Sequence, residues 1–146
     1  QLRTQLKRLL ESQKMTEQEA ECIRIWDIRR FVESGLGQRM KKAAMKKHLY
    51  REQPFVIQRN ASMLDDGWKN ETVLVQGIID AYFMEEDEIV LVDYKTDRVK
   101  RGQEQKLIDL YHVQLEDYAR ALERMTGKKV KEKIIYSFTL QKEILL

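Results

Sequence analysis

The stretch 76–96 constrains this chain more than any other. Two runs rich in Val, Ile, Leu and aromatic residues flank the acidic tip Glu85-Glu86-Asp87-Glu88, the pattern of a β-hairpin. A two-residue turn at Glu86-Asp87 sets Glu85 opposite Glu88. Counting outward from there sets Asp80 opposite Asp93 and Ile78 opposite Lys95. Side chains alternate along a strand, so Asp80, Asp93 and Lys95 then emerge on one face. The register depends on the turn length: an odd shift breaks the arrangement, and an even shift only staggers it.

Two facing carboxylates among residues that usually become buried repel each other and lose hydration. A divalent cation between them removes that penalty, and the neighbouring lysine can then stabilise an anion or handle the proton of a bound water. Two carboxylates and a lysine on adjacent strands form the apparatus of metal-dependent phosphodiester hydrolysis. The plainer reading of Asp93 and Lys95 is an exposed charge pair. The apolar run Ile89-Val90-Leu91-Val92 leading into Asp93 points instead to a central strand.

The 146 residues, 42% hydrophobic and 35% charged, suffice for one domain with its own core. A net charge of +3 permits nucleic acid as a partner without requiring it. One cysteine, Cys22, excludes a disulfide framework, a four-thiolate zinc site and a cysteine-bound iron–sulfur cluster within the chain. No run reaches the roughly 18 apolar residues of a membrane span, and no signal peptide is visible. The chain starts at Gln1 inside a helical pattern, as expected of a piece of a larger protein.

In order, Leu2, Leu6, Leu9 and Leu10 share a helical face, and Thr16 with Glu19 fits a capping box opening a second helix that runs past Phe31. Ser34-Gly35 breaks it, and a third helix covers 36–47 with Lys41, Lys42, Lys46 and Lys47 on a basic face that is either solvated or phosphate-contacting. A strand is expected at 51–59, an exposed connection at 61–71 around Asp65-Asp66-Gly67-Trp68, and hairpin strands at 72–84 and 88–95. A basic loop with Arg98, Lys100 and Arg101 leads to a long helix over 103–125. Leu107, Leu110, Tyr111, Leu115, Tyr118, Leu122 and Met125 form its stripe, and Thr126-Gly127 stops it. Ile134 to Phe138 reads as the last strand. The order predicts an α/β fold: a central mixed sheet of about four strands flanked by helices.

Gln114 and Tyr118 lie four apart on one helical face, within reach of a phosphate or a metal-bound water if that helix crosses the sheet end. Otherwise Tyr118 is core and Gln114 its margin. Glu52, at the mouth of the first strand, is a further ligand or orienting carboxylate, or a salt-bridge partner. His48 and His112 lack metal-ligand spacing. No phosphate-cradling glycine loop is present, so ATP has no site in this chain.

Arg51-Glu-Gln-Pro-Phe55, Gly77-Ile-Ile-Asp80, Val92-Asp93-Tyr94-Lys95-Thr96 and Gln114-Leu115-x-x-Tyr118-Ala119-x-Ala121-Leu122 together resemble the RecB-like nuclease branch of the PD-(D/E)XK superfamily. Within it, the AddA family of helicase–nuclease subunits is most similar. The resemblance implies a restriction-endonuclease-like fold and one nuclease domain over 1–146 belonging to a larger bacterial, cytoplasmic helicase–nuclease. It implies that Asp80, Asp93 and the Tyr94 carbonyl hold Mg²⁺ or Mn²⁺, and that Lys95 positions or activates the attacking water. Gln114 and Tyr118 match the family's glutamine–tyrosine helix motif, and Glu52 its first-strand glutamate. The implied activity is exonucleolytic DNA hydrolysis in double-strand break repair. Helicase domains of the same polypeptide would use ATP, and a partner subunit of the AddB type would join them. The family also carries a histidine metal ligand upstream of these motifs, and this chain is expected to begin after it. The fragment alone is therefore expected to cut poorly, and the alternative is a nuclease-fold module that binds DNA or a partner subunit without cutting.

Overall fold

The computed structural model describes residues 25–60 and 72–146. The leucine face at 2–10, the capping box at Thr16, Cys22 and the connection at 61–71 lie outside the described residues. Three helices and five strands follow in the order α1 (Ile25–Glu33), α2 (Gly35–Met45), β1 (Leu49–Asn60), β2 (Thr72–Glu85), β3 (Glu88–Lys95), α3 (Glu104–Thr126), β4 (Val130–Ser137) and β5 (Lys142–Leu145).

The five strands form one sheet in the order β1-β2-β3-β4-β5. β1–β2 and β2–β3 are antiparallel, β3–β4 is parallel across α3, and β4–β5 is antiparallel. The sheet is mixed, as expected, with one strand more than anticipated. β5 is only four residues long and follows a turn in which Gln141 takes a left-handed φ of 53°. No glycine, proline or asparagine marks that turn.

Glu86 and Asp87 both have positive φ, 53° and 67°, the two-residue turn whose twist matches that of the flanking strands. Glu85 pairs with Glu88, and the register runs without a slip to Ala81–Val92. Around this turn the acidic tip is neutralised. Arg39 grips Glu85 through two hydrogen bonds of 2.9 and 3.0 Å, Lys131 adds a third at 3.0 Å, and Lys128 reaches Asp87 at 2.6 Å.

β3 sits mid-sheet, and Ile89 through Asp93 are all buried, as expected where both faces of a strand are covered. On one face, α1 and α2 lay Ile28, Leu36, Met40 and Ala43 against Ala81, Phe83, Val90, Val92, Ile134 and Tyr136. Ser34 caps α2, its hydroxyl accepting from the Gly37 N–H at 3.1 Å. A Cβ at Gly37 would stand 2.1 Å from the Phe31 carbonyl oxygen, so the tight junction of α1 and α2 requires glycine there. On the other face, α3 packs Leu107, Leu115, Tyr118, Ala119 and Leu122 on Phe55, Ile57, Ile79, Ile89, Leu91 and Ile135. Two members of the expected stripe fall outside it: Leu110 and Met125 are 66% and 50% exposed. The turn of the helix instead buries Asp117, paired to Arg59 of β1 at 3.1 Å. Gly127, at φ 69°, ends α3.

Arg39 and Lys131 together hold the Glu85 carboxyl down to about 2, with Arg39 the larger cause. A carboxylate with a depressed folded-state pKa contributes stability above its ordinary value of 4.5 and loses it as pH falls toward about 2. The group is about one third exposed, so solvent screening reduces the effect to about 1 kcal/mol. Glu85→Gln is therefore expected to lower unfolding stability by about 1 kcal/mol at pH 7. Urea denaturation repeated at descending pH should show wild type and variant converging across that window.

Candidate active site

The site forms where the β2–β3 ladder stops. The last ladder pair is Ala81–Val92, and the next N–H along that edge of β3, that of Tyr94, donates to Asp80 Oδ2 at 2.9 Å. A side-chain carboxylate has replaced a strand carbonyl as the acceptor. The Lys95 carbonyl accepts the Phe138 N–H on the β4 edge of β3. Successive residues of a strand point their amide groups to opposite edges, so the Tyr94 carbonyl leaves on the edge facing Asp80. Of the pairings expected from simple counting, neither Asp80–Asp93 nor Ile78–Lys95 belongs to the ladder, because β2 departs before them.

A distortion on the far side of β2 accompanies that departure. Arg51–Ala81 and Gln53–Ile79 are ladder pairs, and the position between them, Glu52 against Asp80, is not. Glu52 has φ 51°, a left-handed conformation that costs a non-glycine residue of order 1 kcal/mol or more. Side-chain alternation slips at the same point. Tyr82 and Ile79, three residues apart on β2, both pack toward α3, as does Phe55 on β1, and the exposed Tyr50 stacks on Tyr82 at 4.8 Å. Gly77 completes this region: a Cβ there would meet the Phe55 ring at 2.9 Å.

Asp80 and Asp93 are buried, at 8% and 1% exposure. Burial first, and the charge of Asp80 next, push the Asp93 carboxyl well above the usual carboxylate range, against the opposing pull of Lys95. Lys95 Nζ lies 2.7 Å from Asp93 Oδ2. The contact lacks hydrogen-bond alignment, and Oδ2 is a buried oxygen with no hydrogen-bond donor. Lys95 Nζ donates instead to Gln114 Oε1 at 3.1 Å and stands 3.9 Å from the centre of the Tyr111 ring.

Tyr118 packs edge-on to Phe55 at 5.0 Å between ring centres. Burial chiefly, then the charges of Asp93 and Asp80, raise its hydroxyl pKa above the ordinary value. It is core and site neighbour at once. The structure thus brings together Asp80, Asp93, the Tyr94 backbone, Lys95, Gln114 and Tyr118. Glu52 is placed opposite Asp80 by register, and its side chain is exposed. His48 and His112 are also exposed, and the His112 ring lies against the carbonyls of its own helix. Tyr111 packs against the core, as its place in the apolar stripe predicts; its ring also faces the lysine and its hydroxyl donates to Asp97 Oδ2 at 2.7 Å, which the stripe did not reveal.

A divalent cation fits this donor set. The two buried carboxylates repel each other even with Lys95 on Asp93, positive charge between them relieves that repulsion, and carboxylate and carbonyl oxygens are the hard donors such ions take. Among the described residues no group of three His, Cys, Asp or Glu side chains comes together. Among the described residues the side chains placed at the site supply two carboxylates, Asp80 and Asp93.

Comparison with known proteins bears on the family of the chain. The PD-(D/E)XK nuclease superfamily matches over residues 1–144. An ATP-dependent helicase/nuclease subunit from Clostridium novyi (strain NT) is 40% identical over 145 residues, covering 96% of this chain. Proteins of the same name from Clostridium perfringens (strain 13 / Type A) and Thermoanaerobacter sp. (strain X514) are 38% and 42% identical over 98% and 94% of it. The chain spans only 11–12% of the length of these relatives. With a family match over nearly its whole length and the paired carboxylates and lysine at the broken edge of β3, this chain belongs to the PD-(D/E)XK nuclease superfamily.

Proposed function

We propose that this domain hydrolyses DNA phosphodiester bonds with a divalent metal, Mg²⁺ or Mn²⁺, and does so as the exonuclease part of a longer ATP-dependent helicase–nuclease. The single observation that carries the chemistry is the buried Asp80–Asp93 pair with the Lys95 ammonium beside it. Asp80, Asp93 and the Tyr94 carbonyl would hold the ion, which supplies Lewis-acid stabilisation of the charge that develops on the phosphate.

The remaining groups are this chain's own. Lys95, held by Gln114, offers its ammonium to the attacking water and to the anionic phosphate. An ammonium at hydrogen-bond range orients that water and accommodates the negative charge of the transition state. The Tyr118 hydroxyl, protonated at neutral pH as any tyrosine is, is a donor in a region of negative charge from Asp93 and Asp80. Glu52, on the strand beside Asp80, would orient an outer water. ATP would be used by helicase domains elsewhere in the polypeptide. DNA and a partner subunit of the AddB type would be the macromolecular partners, in the bacterial cytoplasm.

A second reading is that the buried Asp80–Asp93 pair with Lys95 serves the fold alone, and that the domain holds DNA or a partner subunit without cutting. Hydrolysis of a labelled single strand with Mg²⁺ or Mn²⁺ separates the two. Cutting that chelation abolishes, and that Asp93→Ala and Lys95→Ala each lower by about 100-fold or more, supports the nuclease. No cutting at saturating metal supports the binding module, and cutting that survives both substitutions overturns the site.

Asp80→Asn gives an independent test on stability. Asparagine retains an oxygen for the Tyr94 N–H, leaves the Asp93–Lys95 contact in place and removes one of two opposed charges. Without divalent ions the variant is expected to be more stable than wild type by up to about 1 kcal/mol. Added Mg²⁺ should raise the melting temperature of wild type and not of the variant. A variant less stable than wild type in chelator would contradict the opposed-charge description.

A further inference from the structure

We infer that Tyr111 is a positioning residue for Lys95: its ring holds the ammonium over the carboxylate pair, and its hydroxyl is anchored on the loop that leaves β3. The inference rests on the reading of Lys95 as part of a hydrolytic site. Three contacts surround the ammonium: Asp93 Oδ2 at 2.7 Å, Gln114 Oε1 at 3.1 Å and the Tyr111 ring centre at 3.9 Å. Tyr111 and Gln114 are three residues apart on α3 and so share a helix face. One turn of helix therefore supplies both the polar and the aromatic wall of the lysine's enclosure.

A lysine carries a compact, strongly hydrated charge on a flexible four-carbon stem. Its reach toward the attacking water is productive only if its head is confined. The side chain is 15% exposed, so the ring takes the place of water on one side, where a cation and an aromatic face attract each other more strongly than in bulk solvent. The ring itself is fixed. Its hydroxyl donates to Asp97 Oδ2 at 2.7 Å, and the Asp97 carbonyl in turn accepts from the Thr139 hydroxyl at 2.7 Å. The first loop residues after Lys95 are thus pinned to α3 on one side and to the β4–β5 turn on the other.

The test compares Tyr111→Phe, which keeps the ring, with Tyr111→Met and Tyr111→Leu, which remove it, in a polypeptide of the relatives' full length. Hydrolysis of a short labelled DNA strand is measured for kcat and KM, with Lys95→Ala alongside. Loss of the ring is expected to lower kcat about tenfold with KM changed less than about twofold, while Phe stays within about threefold of wild type. In the metal-free protein, acetic anhydride should label Lys95 several-fold faster in the Met variant than in Phe, read by peptide mass spectrometry. Equal losses in Phe and Met, or a Met variant with unchanged kcat, would overturn the positioning role. So would both truncations losing the thermal unfolding transition while Phe keeps it, since the ring would then be a packing element. If Lys95→Ala itself cuts normally, it is the hydrolytic reading that fails. If Lys95→Ala is inactive and Tyr111→Met is not impaired, only the role of Tyr111 fails.

Discussion

Asp80 and Asp93 face each other from neighbouring strands in a space from which the sheet and α3 exclude most water, and the architecture around them follows from keeping them there. Opposed charges at such a place would push the strands apart unless each carboxylate were held by something else. Asp80 is held by the Tyr94 N–H. Asp93 is held by the Lys95 ammonium at 2.7 Å and by its position on β3, whose preceding residues are buried on both faces. The core on either side supplies the energy that tolerates the repulsion; Phe83, Leu91, Val92, Leu115 and Ile135 are fully enclosed. At roughly 1.5–3 kcal/mol for each such large side chain, burial exceeds the cost of one unfavourable carboxylate pair several times over.

The end of the β2–β3 ladder turns this tolerated conflict into a site. While two strands remain paired, their backbone groups are occupied with each other. Where β2 leaves β3, amide and carbonyl groups on that edge turn toward whatever fills the gap, and here the filler is a carboxylate. The left-handed backbone at Glu52 on β1 accompanies the change in direction, so three strands cooperate in a local departure from regular pleating. α3 then closes the opening with Tyr111, Gln114 and Tyr118, successive side chains of one helix face. Strain, broken pairing and buried charge coincide within a few residues, as is common where a fold has been shaped for chemistry.

Much of this was legible in the sequence, for identifiable reasons. The hairpin register could be read because Ile89 to Val92 and Ile78 to Phe83 bracket an acidic tip short enough for a two-residue turn. A period of two then carries the register as far as Ala81 and Val92, and the break just beyond them, where Asp80 and Asp93 lie, was not legible. α3 was legible from its stripe and from Gly127. β5 was not, since four residues carry almost no periodicity and Gln141 takes a turn conformation that its side chain does not advertise. Glu52's backbone and the burial of Asp117 against Arg59 were likewise hidden, because both depend on a partner strand or helix distant in sequence. Tyr111 illustrates the same limit within the site. Its spacing with Leu107 and Leu115 is that of a core residue, and only the folded chain shows Lys95 against its ring and Asp97 at its hydroxyl.

Crystals of the domain soaked in Mn²⁺, with anomalous scattering recorded at the manganese edge, address the central claim most directly. A peak within bonding distance of Asp80 and Asp93 carboxylate oxygens and the Tyr94 carbonyl is expected, with Lys95 Nζ nearby and not bound to the ion. A map at millimolar Mn²⁺ with no peak between the two aspartates would contradict it, and would leave the buried pair as a structural feature without a metal.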